Sequence, residues 1–201
     1  MLKWVMSRVN GERHQYMGAA TPPSFGLLLL AVFSRYDAAL SWARRRAAEA
    51  FGPVALESPT FEFCQTDYYQ PTMGPDLRKL FLAFAERVDP ARLVDIKLQT
   101  NAWEEEYAQA SDHPEPRPVN LDPGYLTLGK LVLASTKDFA HRIYLARGIY
   151  AEVTLFFRHH RWAHHEWTFA DYRRPEYHEF FTRCREVLHQ RLREGPRPCS
   201  G

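Results

Sequence analysis

Cysteine is scarce in this chain. Cys64, Cys184 and Cys199 are odd in number, far apart and in no C-x-x-C pair. That argues against a disulfide framework or a thiolate zinc site and for a reducing, cytoplasmic setting. Long apolar runs are also missing. No segment approaches the roughly 20 apolar residues of a membrane span, and Phe25 to Phe33 is too short and lacks a signal-peptide cleavage pattern. Charge of one sign is not in excess: the formal net charge is +2. Neither nucleic acid nor an anionic membrane is therefore expected as the main partner. The Arg44-Arg45-Arg46 cluster is expected to be a solvated helix face. Two familiar reaction signatures are absent as well. There is no G-x-S-x-G nucleophile elbow and no G-x-x-x-x-G-K-[ST] loop.

What is present fits one α+β domain. The 201 residues are enough to bury a sizeable core, and 45% hydrophobic with 25% charged residues is ordinary for a globular protein. Residues 1–24 mix charges, Gly and Pro-Pro without periodicity, so a loosely attached leader is expected, with Met17 as an alternative start. The domain is expected over 25–192 and a flexible tail over 193–201. Gly26 to Ser34 is continuously apolar and predicts a strand covered on both faces. Asp37 is expected to cap a helix that Gly52-Pro53 ends. Val54 to Phe63 is extended, interrupted by Pro59.

Pro75 is expected to open a helix through Leu77, Leu80, Phe81, Phe84 and Val88. The alternation Val94-Asp95-Ile96-Lys97-Leu98 predicts a short strand, with Asn101 capping an acidic helix after it. Ser111 to Pro118 reads as a surface loop. Asp122-Pro123-Gly124 is expected to make a tight turn. Thr127 to Ser135 fits a capped helix or a strand. Arg142 to Phe157 fits a hairpin around Ala146-Arg147-Gly148, with Ile149, Ala151, Val153, Leu155 and Phe157 on one face. A last helix is expected from Pro175, with Tyr177, Phe180, Phe181, Cys184, Val187 and Leu188 inward. The expected architecture is a mostly antiparallel sheet with helices packed on it.

Four strings carry a family likeness: TDYYQPTMG (Thr66 to Gly74), IKLQTN (Ile96 to Asn101), VNLDPGYLTLGKLVLASTKDFAHRIYLARGIYAEVTL (Val119 to Leu155) and WTFADYR (Trp167 to Arg173). Together they resemble the DUF4416 family of uncharacterised prokaryotic proteins, whose named motif is DPGYL. The likeness runs from about Phe25 to the final helix, leaving the leader and the histidine-rich stretch outside it. Some relatives carry a GTP-binding label, which finds no P-loop here. The resemblance implies no reaction and no cofactor.

The chemistry-bearing residues of these apolar segments are Asp67, Lys97, Asp122, Tyr125, Lys137, His141, Arg142, Glu152, Asp171 and Arg173. Lys97, Lys137, His141 and Arg142 in one cleft would attract a phosphate or carboxylate, Arg as a planar fork and Lys as a point charge. Glu152 and His141 are the expected acid-base groups if a reaction exists. Asp67, Asp122, Tyr125, Asp171 and Arg173 are expected to complete a ligand site. Plainer roles stand beside these: Asp122 building a turn, Glu152 pairing across the sheet, His141 packed and hydrogen-bonded. His159, His160, His164 and His165 are four imidazoles close in sequence, but their place after a strand favours a hairpin loop over a metal site. The leading expectation is a small anionic ligand, such as a nucleotide or phosphorylated metabolite. The alternative is a non-enzymatic interaction module using Trp162, Trp167, Phe169 and Tyr172.

Overall fold

Strand β1 (Gly26–Ser34) is buried at all nine positions, because apolar layers cover both its faces. In this computed structural model, which describes residues 21, 23–63 and 69–194, it is an interior strand of a nine-stranded sheet. The expected leader, with Met17, and the expected tail fall for the most part outside the described residues.

Helix α1 (Asp37–Phe51) buries Ala39, Leu40, Ala43, Ala47 and Phe51 and stops at Gly52, whose φ of 83° suits glycine. Asp37 does not cap it. Its carboxylate pairs with Arg78 at 2.8 Å, and the Ser34 hydroxyl accepts from the Tyr36 N–H instead. The arginine cluster is partly engaged, Arg44 with Glu57 and Arg46 with Glu106 and over the Trp103 ring.

Strands β2 (Val54–Glu57) and β3 (Phe61–Glu62) lie on either side of Pro59, as expected, and both pair with β4 (Arg78–Val88). A single helical turn, α2 (Gln70–Met73), precedes β4. The helix expected after Pro75 is thus a strand. Leu80 to Phe84 is buried at every position, so both faces of β4 are apolar and no period marks it as extended. The opposite correction applies to the next segment. Leu93 to Ala110 is one long helix, α3, with Asn101 inside it, not a strand followed by a capped helix.

The segment expected to turn at Asp122-Pro123-Gly124 is β5 (Asn120–Leu126), paired with β1 over its whole length. β6 (Lys130–Ser135) is the strand alternative, joined to β5 through Thr127, whose hydroxyl accepts from the Lys130 N–H at 3.2 Å. β7 (Ile143–Ala146) and β8 (Ile149–Arg158) form the expected hairpin, with Arg147 and Gly148 both at positive φ. The expected single apolar face of β8 holds only to Val153. The register with β6 shifts between Leu131 and Val132, opposite Leu155 and Val153, and the strand changes sides there. His159 and His160 form the tight turn, both at positive φ, that leads into β9 (Arg161–His164). Helix α4 (Pro175–Arg193) buries Tyr177, Phe180, Phe181, Cys184 and Leu188.

Every pairing is antiparallel, and the order is β2-β4-β1-β5-β6-β8-β7, with β3 also on β4 and β9 also on β8. Leu28, Leu30 and Val32 of β1 enter a core with α1 and α3. Leu27, Leu29 and Ala31 enter a second core with α4. The fold is α+β: helices on both faces of one antiparallel sheet.

Candidate functional site

The sheet opens between β5 and β6. β6 pairs with β5 only over Gly124 to Leu126, and β5 continues back to Asn120 with β1 alone beside it. Side chains of α3 fill the gap. The Leu121 N–H donates to Glu104 Oε1 at 2.6 Å, and the Leu121 carbonyl accepts from Lys97 Nζ at 2.8 Å. Residues two apart in a strand turn their backbone groups the same way. The imide nitrogen of Pro123 therefore faces the same gap, where no ladder bond is lost. One residue on, β6 closes in. A Cβ on Gly124 would lie 2.7 Å from Leu133 Cδ2 and closer still to the Val132 carbonyl. Asp-Pro-Gly is thus a strand segment: proline where the neighbour has left, glycine where it is nearest, and Asp122 at the opening.

A cavity of about 360 Å³ occupies this opening. It is lined by Lys79, Lys97, Arg117, Lys137 and Arg142, by Asp122, Glu152 and Asp171, and by apolar walls that include Phe63, Leu133, Phe139 and Phe169. Among the described residues, five cationic and three anionic side chains leave the lining formally positive by two.

Each cluster around the cavity has its own geometry. Lys79 Nζ bonds Asp171 Oδ2 at 2.7 Å, with both side chains almost wholly buried. The same ammonium lies 4.4 Å from the Tyr172 ring, 5.0 Å from Phe63 and 5.1 Å from Phe33. Lys97 reaches Asp122 Oδ1 at 3.2 Å. Burial pushes the Asp122 carboxyl up, but Lys97, Lys79 and Arg117 together outweigh it and hold it below the usual range. Arg117 donates twice to Glu104 Oε2, at 3.0 and 2.8 Å. Glu104 is so deeply placed that burial keeps its carboxyl above the usual range despite Lys97 and Arg117.

The third cluster centres on Glu152. Its Oε2 accepts from Arg142 Nε at 2.9 Å and lies 3.2 Å from His141 Nε2, and its Oε1 accepts from the Thr154 hydroxyl at 3.3 Å. Arg142 also donates to the Ser135 hydroxyl and the Lys137 carbonyl, at 2.7 and 3.1 Å, and lies over the Phe139 ring. His141 stacks between Phe139 and Trp167.

Of the expected site residues, Lys97, Asp122, Lys137, Arg142, Glu152 and Asp171 line this cavity. His141 stands behind Glu152 and outside the lining. Tyr125 packs into the cores on the α3 side. Arg173 is spent on the backbone, donating to the Thr168 and Glu166 carbonyls. Asp67 lies outside the described residues. Sequence reasoning missed Lys79, Arg117 and Asn120 and assigned Tyr172 to an interaction surface instead of the site. Asn120 had a usable signal: it is two residues before Asp122, on the same face once that segment is extended. Arg117, in a proline-rich loop, had none. Among the described residues, no group of three or more His, Cys, Asp or Glu is arranged to hold a metal ion, and the histidine-rich stretch is a hairpin.

Fold and site define the class: an antiparallel α+β protein with a charged cavity where two neighbouring strands part. The chain belongs to the family described as a domain of unknown function, DUF4416, whose model matches residues 25–188. That span includes the histidine-rich stretch. No curated protein and no solved structure matches the chain.

Proposed function

We propose that the protein binds a small anionic ligand, such as a nucleotide or a phosphorylated metabolite, in the cavity between β5 and β6. The observation that carries this reading is the convergence of five cationic side chains from two elements, β4 and α3, and two loops on one partly apolar hollow. A volume of about 360 Å³ is at the low end for small-molecule pockets, which favours a compact metabolite. The positive surplus attracts the anion, and the aromatic walls receive its less polar part.

Acid-base catalysis by Glu152 or His141 is the weaker extension. Both Glu152 oxygens already accept hydrogen bonds, and Arg142 occupies the one that His141 approaches. That arrangement suits a carboxylate that fixes Arg142 against the cavity. A cytoplasmic location is part of the proposal. It rests on the cysteine usage, and among the described residues no helix is long and apolar enough to cross a membrane.

The test is a thermal-shift screen of phosphorylated and carboxylated metabolites, with and without Mg²⁺. A ligand at 100 times its Kd is expected to stabilise by about 2.7 kcal/mol, and Arg142→Met should abolish the shift. A screen in which no anion raises Tm would remove this reading.

A second reading is an interaction module. Trp162 and Tyr172 are buried and unavailable to a partner, but Trp167 and Phe169 are exposed. Ile143, Tyr144 and Leu145 are also exposed on β7, the terminal strand of the sheet order. Light scattering on the purified protein tests this reading. A monomer at tens of micromolar, with unchanged mass after Ile143→Lys, would count against it.

A further inference from the structure

The ligand-binding reading leaves open which groups touch the ligand. The cavity's own hydrogen bonds answer in part. Lys79 is bonded to Asp171, Lys97 to Asp122, Arg117 to Glu104 and Arg142 to Glu152. Lys79, Lys97, Arg117 and Arg142 therefore each already have a carboxylate.

The unsatisfied polar groups of the cavity are neutral. Asn120 is 1% exposed and Tyr172 3% exposed, yet neither Asn120 Nδ2 nor the Tyr172 hydroxyl has a hydrogen-bond partner among the described residues. Both residues line the cavity. Other buried polar atoms share this state elsewhere, such as Trp162 Nε1 and Ser111 Oγ, so the lack of a partner alone marks nothing. What sets Asn120 and Tyr172 apart is that both residues, one from β5 and one from the turn Ala170–Arg173, line the same hollow. Burying an unpaired amide or hydroxyl is unfavourable, and a bound acceptor offsets that cost.

We infer that the Asn120 carboxamide and the Tyr172 hydroxyl are the direct readers of the ligand, donating to oxygens of a phosphomonoester while the paired cations supply the surrounding field. This rests on the ligand-binding reading. Burial pushes the Tyr172 phenol well above its ordinary range, so it keeps its proton and donates. Asp122 and Asp171 line the same cavity and, when ionised, can only accept. An oxyanion that meets them needs a proton of its own to give. A phosphate monoester titrates near pH 6 and can carry one. Sulfate at neutral pH carries none, so the site should discriminate between two anions of similar size and shape.

Isothermal titration of the full chain with inorganic phosphate, with sulfate and with ribose 5-phosphate tests this. The expected order is ribose 5-phosphate, then phosphate, with sulfate at least about ten-fold weaker than phosphate. Asn120→Leu and Tyr172→Phe should each weaken phosphate by about ten-fold or more, as befits a lost hydrogen bond to a charged acceptor. Without ligand, Tyr172→Phe should keep or raise Tm, because the hydroxyl removed has no protein partner. Equal affinities for phosphate and sulfate would overturn the inference, as would variants that bind phosphate like the parent chain. A fall in the ligand-free Tm of Tyr172→Phe would do the same, by showing a structural hydroxyl bond. If phosphate fails to bind while carboxylates stabilise the protein in the thermal-shift screen, the inference falls and the broader anion-binding function stands.

Discussion

Gly124 illustrates how one residue sets the shape of the cavity. Its backbone carries no positive φ that would require glycine, so the constraint is space. A methyl group there would strike Val132 and Leu133 of β6, where a strand backbone has little freedom to give way. Gly124→Ala should therefore cost about 1–3 kcal/mol, the range for overpacking, read as a lower urea midpoint at unchanged m-value. Gly129 is the matched control. A Cβ there would meet nothing within 4 Å, so Gly129→Ala should change stability by less than about 0.5 kcal/mol. Equal effects from the two substitutions would show that close strand approach is not the reason for the glycine. At the same scale, Lys79 shows why a buried ammonium is tolerable in an apolar core: Asp171 neutralises it and four rings face it.

Among the elements, the turn Ala170–Arg173 matters most to the cavity, because it carries Asp171 and Tyr172 to the wall. Helix α4 holds it in place through His178, whose Nε2–H donates to the Tyr172 carbonyl at 2.8 Å. Burial lowers the His178 pKa below 6.5, and the charge of His164 adds to that; the carbonyl bond opposes both and does not win. The sign of the linkage follows. In the unfolded chain the imidazole binds a proton near pH 6.5, whereas the native one resists it. The contribution to stability is complete above pH 6.5 and is lost as pH falls from there through the lower native value. Melting temperatures of the parent chain and of His178→Gln between pH 5 and 8 should therefore converge as pH falls. Parallel curves would show that this imidazole does not titrate differently on folding. The elements also explain what was legible in the sequence. β1, α1, the β7–β8 hairpin as far as Val153 and α4 were readable because a single pattern fitted each. β4 and α3 were exchanged for opposite reasons. β4 is buried on both faces, so its apolar run has no period, and helical spacing can be found in it. In α3 the inward stripe is Leu93, Val94, Ile96, Lys97, Thr100, Trp103 and Tyr107, which is helical only if a lysine counts as buried. Lys97 is inward because it serves the gap in β5, so the site itself disguised the helix. Asp122 was misplaced in the same way, since Pro-Gly signals a turn unless the neighbouring strand is known to leave.

For the whole molecule, the decisive fact is that two cores share one strand. Leu30 of β1 packs with α1 and α3, and its neighbour Leu29 packs with α4, each nearly inaccessible to solvent. Neither core can open without releasing a face of β1, and β1 also holds β4 and β5 in register, and with them the cavity. Unfolding should therefore be cooperative across the sheet and not proceed layer by layer. Two natural reporters test this. Trp103 is buried in the first core and Trp162 in the second, so variants retaining only one of them report each side separately. Leu29→Ala and Leu30→Ala should each destabilise by about 2–5 kcal/mol, as large-to-small core substitutions do. In both backgrounds Trp103 and Trp162 should give coincident urea midpoints, because losing either core frees the strand on which the other is built. If Leu29→Ala moved the Trp162 transition and left that of Trp103 in place, the two layers would be separately stable. The cavity would then sit at a boundary between independent units instead of inside one cooperative sheet, and ligand binding would protect only one of the two reporters.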